Sequence, residues 1–165
     1  MIAGGPPPRR GALAAALLLP LLAAACTNQD AVLGVITPPP AGTPVSLSKD
    51  VQVIFSAKCG PGCHSGSNPF AGMNLEDGKS HAAIVDVPSC EAPALKRVNP
   101  FDSLGSYMVL KLENGQSSVA TCTQCATDPT LSTTCGVQMP FGVTPLSDVE
   151  IALIRTWIDQ GAPNN

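Results

Sequence analysis

Two stretches of the chain place apolar residues at helical spacing. Along SKDVQVIFSAK (residues 48–58), Val51, Ile54 and Phe55 share one face, with Ser48 the expected N-cap and Asp50 in the first turn. Along SDVEIALIRTWIDQ (residues 147–160), Ile151, Ile154, Trp157 and Ile158 form an apolar stripe. Ser147 and Glu150 have the S-x-x-E spacing of a capping box, and Gly161 and Pro163 supply the stop. Two weaker helical stretches, SHAAIVDV and LGSYMVLKLE, lie between them. Little of the chain alternates at the period of a strand, so the pattern predicts an all-α domain. With 15 Gly and 17 Pro, its helices must be few and its loops long. A small helical domain of this kind needs something else in its core, and a large apolar prosthetic group would meet that need.

The first 45 residues follow a different pattern. Arg9 and Arg10 precede the apolar run GALAAALLLPLLAAA, which ends at Cys26. The run is short for a membrane span and contains Pro20, so residues 1–25 read as a cleaved signal peptide. Ala23 to Ala25 before Cys26 resemble a lipobox, although Leu22 sits one place early. The expectation is a lipoprotein with Cys26 acylated, against an ordinary signal peptide that leaves Cys26 unmodified. Residues 26–45 hold four prolines and no helical period, which predicts a flexible Pro-rich tether. The domain proper is expected over 46–163, long enough for a single core.

Charge narrows the function classes. Seven basic and all twelve acidic residues follow Cys26, a balance of −5 for that part of the chain. It has no basic run, which argues against a nucleic-acid partner. The exported reading places the domain in the cell envelope, facing the periplasm or the surface and held to a membrane by lipid.

The chemistry concentrates in CGPGCH, Cys59 to His64. Covalent haem attachment uses two thiols that add to the vinyl groups, with the following histidine beneath the iron. The usual spacing has two residues between the cysteines, and here there are three. Positions i and i+4 share a helical face about as well as i and i+3, and Gly60, Pro61 and Gly62 make a compliant loop for the extra residue. A Cys59–Cys63 disulfide and a zinc site are the alternatives. A second axial ligand is sought in Met139, which sits in the loop sequence CGVQMPFG before the last helix. His/Met ligation suits electron transfer. Met108 reads as core packing within a helix, Met73 is close in sequence to His64, and His81 is the rival ligand.

The order VQVIFSAKC, GCH, AAIVDVPS, RVNPFDSLGSYMVLKL, MPFG and PLSDVEIALIRTWIDQGAP resembles the small monohaem cytochrome c domains of planctomycete and myxobacterial type. The resemblance covers about residues 50–163. It implies a class I cytochrome c-like fold, in which an N-terminal helix runs into the haem motif and is crossed by the C-terminal helix. It also implies one covalent haem c held by Cys59 and Cys63, with His64 and Met139 as axial ligands. The single inserted residue in the haem motif departs from the family pattern.

Cys90, Cys122, Cys125 and Cys135 remain, an even number that in an oxidising compartment predicts two disulfides. Of three connectivities, Cys90–Cys135 with Cys122–Cys125 is the one favoured, pinning an insertion over 115–137. A four-thiolate metal site is the alternative. No hydrolytic constellation appears: Glu76, Asp77 and Asp102 read as solvated loop positions, and Lys96 and Arg97 as an exposed pair able to neutralise a haem propionate. The expected function is electron transfer with redox proteins of the envelope as partners, and not enzymatic catalysis. The rivals are a disulfide-stapled envelope protein that binds a partner or metal without haem, and a haem sensor or peroxide-reactive domain.

Overall fold

The computed structural model describes Met1, Pro40, residues 42–125 and residues 135–165. The expectations for the signal peptide, for Cys26 and for most of the tether fall outside these residues. Among the described residues the chain is helical, with isolated β-bridges and no named strand, as an all-α class requires. No described helix is long and apolar enough to cross a membrane.

Helix α1 is continuous through three segments, Leu47–Val51, Gln52–Ile54 and Phe55–Cys59, of which the outer two are wound as π-helix. Its N-cap is Ser46, not the expected Ser48: Ser46 Oγ accepts from the Lys49 amide, and the Ser46 amide donates to Asp50 Oδ2 at 2.7 Å. The earlier start brings Leu47 into the core, where it is buried along with Val45. At the other end the Gly60 amide donates to Phe55 O across a wide turn, 2.7 Å, and this turn delivers Cys59 and the loop beyond it. Wide π turns of this kind recur at functional sites.

Helices α2 (Ser80–Ile84), α3 (Tyr107–Leu112) and α4 (Asp148–Asp159) follow. The predicted capping box is present at α4, with Ser147 and Glu150 each satisfying the other's backbone amide. Gly161, at φ +96°, turns the chain out of the helix. Ile154, Trp157 and Ile158 are fully buried against Val51, Ile54 and Phe55 of α1 and against Val109 of α3. Ile151 packs at the margin, and Leu153 joins the buried set instead. Trp157 Nε1 donates to Pro163 O at 3.0 Å, so burying the indole leaves no orphan donor. Between α2 and α3 the chain is stitched by bridges Val85–Val98 and Lys96–Ser106, which fix the backbone on both sides of Arg97.

Candidate functional site

A cavity of about 370 Å³ opens between the end of α1, the loop that follows it, α3 and the segment before α4, with a mainly apolar lining. This volume lies within the range of sites for small molecules and cofactors. Cys59, Cys63, His64 and Met139, spread over 80 residues of sequence, all line it. The two thiols are free, not joined to one another as the disulfide alternative requires.

His64 is buried, and its orientation is set locally. Its amide donates to Gly60 O at 3.0 Å, and its carbonyl accepts from the Leu75 amide at 2.7 Å. Nδ1 lies 3.2 Å from Phe70 O. A carbonyl can only accept, so Nδ1 carries the proton in this bond and Nε2 keeps its lone pair. Burial, reinforced by Arg97 and Lys111, holds the ring's pKa below its ordinary value of 6.5, although the Phe70 and Met73 backbone pulls the other way. The imidazole is therefore neutral at physiological pH, the form that binds a metal, and its far nitrogen is oriented as a second-sphere hydrogen bond orients ligating histidines.

The carbonyl that holds His64 belongs to a tight turn, Phe70–Gly72, in which Ala71 adopts φ +56°. Arg97 secures that turn. Its guanidinium donates to Ala71 O and to Ala83 O, both at 2.6 Å, from a backbone bonded to Val87 and Met108. Arg97 is thus half-buried and structural on one side while it lines the cavity on the other. Lys96 matches the exposed expectation and pairs with Asp86 at the surface.

Cys59 is in a different electrostatic setting. Burial first, and then the Glu150 carboxylate, push its thiol up to about 11, only partly offset by Lys58. A thiol that stays protonated at neutral pH lacks the thiolate of catalytic cysteines. Lys58, also on the lining, ion-pairs with Glu150 at 2.7 Å and so ties the end of α1 to the first turn of α4.

Three methionines reach the cavity: Met73, Met108 and Met139. The Met73 amide donates to Phe70 O, the same carbonyl that holds His64, so Met73 belongs to the histidine's own side. Met108 is packed into the core cluster on α3. Met139 arrives on a separate loop through a cis bond to Pro140, its amide donating to Lys111 O at 2.9 Å. His81 is not on the lining: its Nε2 lies 3.0 Å from Ala162 O, beside the C-terminal segment.

The disulfides correct the favoured pairing. The bonds are Cys90–Cys125 and Cys122–Cys135, not Cys90–Cys135 and Cys122–Cys125. Cys122 and Cys125 lie in a stretch with no helical turn to put residues three apart on one face. Thr123 instead donates from its amide to Glu91 O at 2.8 Å and from its hydroxyl to Cys90 O at 2.5 Å. This lays the segment beside Cys90 and leaves Cys122 for the returning Cys135. All four thiols are consumed, so the four-thiolate metal alternative has no ligands. Residues 126–134 of the expected insertion lie outside the described residues.

The sequence reading missed a buried polar cluster on the lining, Glu91, Tyr107 and Lys111. Lys111 Nζ and Glu91 Oε2 are 2.9 Å apart, and the Tyr107 hydroxyl lies 2.9 Å from the same carboxylate oxygen. Burial, and then the Glu91 carboxylate, drive the phenol well above its ordinary pKa. The available signal was Tyr107 and Lys111 at i,i+4 inside an otherwise apolar helical stretch, a spacing that puts a phenol and an ammonium on one face.

No protein-family model, curated protein or solved structure matches this chain. The residues themselves therefore carry the functional argument.

Proposed function

We propose that this chain is an exported, lipid-anchored c-type cytochrome domain of class I-like fold that carries one covalent haem and transfers electrons among envelope redox proteins. The observation that carries the reading is the placement of His64: buried, with Nδ1 held by Phe70 O so that Nε2 keeps its lone pair, in a mainly apolar cavity that also exposes two unpaired thiols. In this reading Cys59 and Cys63 would hold the group through thioethers, His64 and Met139 would bind its iron as axial ligands, and Arg97, Lys58 and Lys111 would supply cationic side chains on the lining. The bound haem supplies one-electron exchange between ferric and ferrous iron. The protein's residues exclude water, fix the imidazole tautomer and offer a soft thioether that favours the ferrous state. Cys26 is the proposed acylation site.

The experiment is expression of the full chain in a host competent for c-type maturation. Mass spectrometry under denaturing conditions should show one added haem that survives acid–acetone extraction, and Cys59→Ser or Cys63→Ser should abolish stable incorporation. A protein that emerges colourless, or loses its colour on extraction, overturns covalent attachment. A reduced form that readily binds carbon monoxide would instead favour an open-site sensor or peroxide-reactive domain.

A further inference from the structure

We infer that the buried Glu91–Tyr107–Lys111 cluster is a positioning device for the loop that carries Met139, an inference that rests on the reading of Met139 as a ligand. The cluster grips the backbone four residues before Met139. Cys135 O lies 3.0 Å from Lys111 Nζ and 3.1 Å from the Tyr107 hydroxyl, and all three side chains of the cluster are buried. Cys135 and Gly136 are both left-handed, at φ +64° and +66°. A Cβ on Gly136 would stand 2.7 Å from both Glu91 Oε1 and Lys111 Nζ, so the loop passes as close to the ion pair as a backbone can. Beyond that point the chain is fastened along the end of α3, with Gln138 Nε2 donating to Leu112 O and the Met139 amide to Lys111 O, each at 2.9 Å. The Cys122–Cys135 disulfide holds the same residue covalently.

Energetics separates positioning from mere stabilisation. A buried ion pair returns little net stability, because desolvating two charges offsets their attraction, and neutral replacements of similar shape are often tolerated. What the pair and the phenol supply here is direction: the Lys111 ammonium and the Tyr107 hydroxyl converge on one carbonyl, Glu91 holds both of them, and together they fix where the loop leaves it. Lys111 acts twice, through its ammonium on Cys135 and through its own carbonyl on Met139.

The test uses the full-length protein in haem-loaded and haem-free forms. Tyr107→Phe removes the hydroxyl and leaves the ion pair, while the double variant Glu91→Gln/Lys111→Met removes both charges and keeps volume and net charge. The expected result is hydrogen exchange at the Met139 amide about tenfold faster in each variant. In the loaded protein the weak red-region band of thioether-ligated ferric haem should weaken while the haem stays covalently attached. Unchanged Met139 exchange in Tyr107→Phe with native-like melting overturns the inference, whether or not the double variant folds. Faster exchange in a protein whose wild type lacks that band would uphold the positioning role and reject Met139 as ligand.

Discussion

The two sides of the cavity that hold the proposed axial ligands are built by different means. The His64 side is largely local: from Gly60 to Leu75, the wide turn after α1, the Phe70–Gly72 turn and the Leu75 amide orient one imidazole, with Arg97 and Gln52 reaching in from outside. The Met139 side is assembled from Glu91, Tyr107, Lys111 and Cys135, with a disulfide and a buried ion pair in place of consecutive hydrogen bonds. Local assembly costs little loop-closure entropy, whereas the distant side must close long loops and therefore relies on cross-links and buried polar contacts. The histidine side should accordingly be robust and the methionine side adjustable.

The largest effect falls on the core that carries both sides. Trp157→Ala deletes the largest fully buried side chain, and with it part of the packing of α4 on α1. It should cost about 3–5 kcal/mol, read by chemical or thermal unfolding. Both sides should loosen together. Loss of Met139 protection with an intact His64 side would mean that the distant side depends on α4 alone.

Ligand substitution sets one side against the other. Met139→Ala should leave haem attached, abolish the red-region band, lower the potential and admit carbon monoxide to the reduced iron; Met139→His should keep six-coordination at a lower potential. His64→Ala should be far more damaging, because the described lining offers no second imidazole and His81 is engaged with Ala162. If Met139→Ala changes neither band nor potential, the thioether comes from Met73 or Met108, and the same substitution at those positions will find it.

What was legible in the sequence follows this division. Helical periodicity placed α1 and α4, and the Ser147–Glu150 spacing identified a capping box that is present, because these signals lie within a few residues of each other. Cys59, Cys63, His64 and Met139 could each be named from short segments, and the fold brings all four to one cavity. The disulfide partners could not be named. The pairing depends on Thr123 lying along Cys90–Glu91, a contact between segments more than thirty residues apart that leaves no trace in spacing. The N-cap of α1 was misplaced by two residues because burial of Leu47, a tertiary fact, outweighed the local preference for Ser48. Arg97 looked like half of an exposed basic pair, since nothing in its neighbours announces the carbonyls of Ala71 and Ala83.

Arg97 provides the next test, with effects confined to the histidine side. Arg97→Gln removes the charged donors from Ala71 O and Ala83 O and should cost about 1–3 kcal/mol. The Nδ1 proton of His64 should exchange faster, while Met139 protection stays at its native level. A change at Met139 comparable to that at His64 would show that the two sides are mechanically one.

The smallest effect concerns the link between them at the head of α4. Glu150 Oε2 accepts from Lys58 Nζ at 2.7 Å, from the Ser147 amide at 2.7 Å and from the Ser147 hydroxyl at 2.9 Å. Burial works to raise this carboxyl, but Lys58 and Ser147 outweigh it and hold its pKa below the ordinary 4.5. A depressed carboxylate contributes stability that is complete above its unfolded pKa and is lost as pH falls through its folded value. The contribution should therefore be full at neutral pH and fade from about pH 4.5 downward. Lys58 is one-third exposed, which screens the pair, so about 1 kcal/mol is expected. Glu150→Gln should lose that amount at pH 7 and flatten the acid limb of the stability profile, measured by urea unfolding between pH 3 and 7. The same substitution removes the carboxylate that helps keep the Cys59 thiol protonated, so in haem-free protein that thiol should react faster with alkylating reagents. An unchanged alkylation rate would assign the raised Cys59 thiol to burial and Cys63 and would leave Glu150 as a cap and a tie between helices.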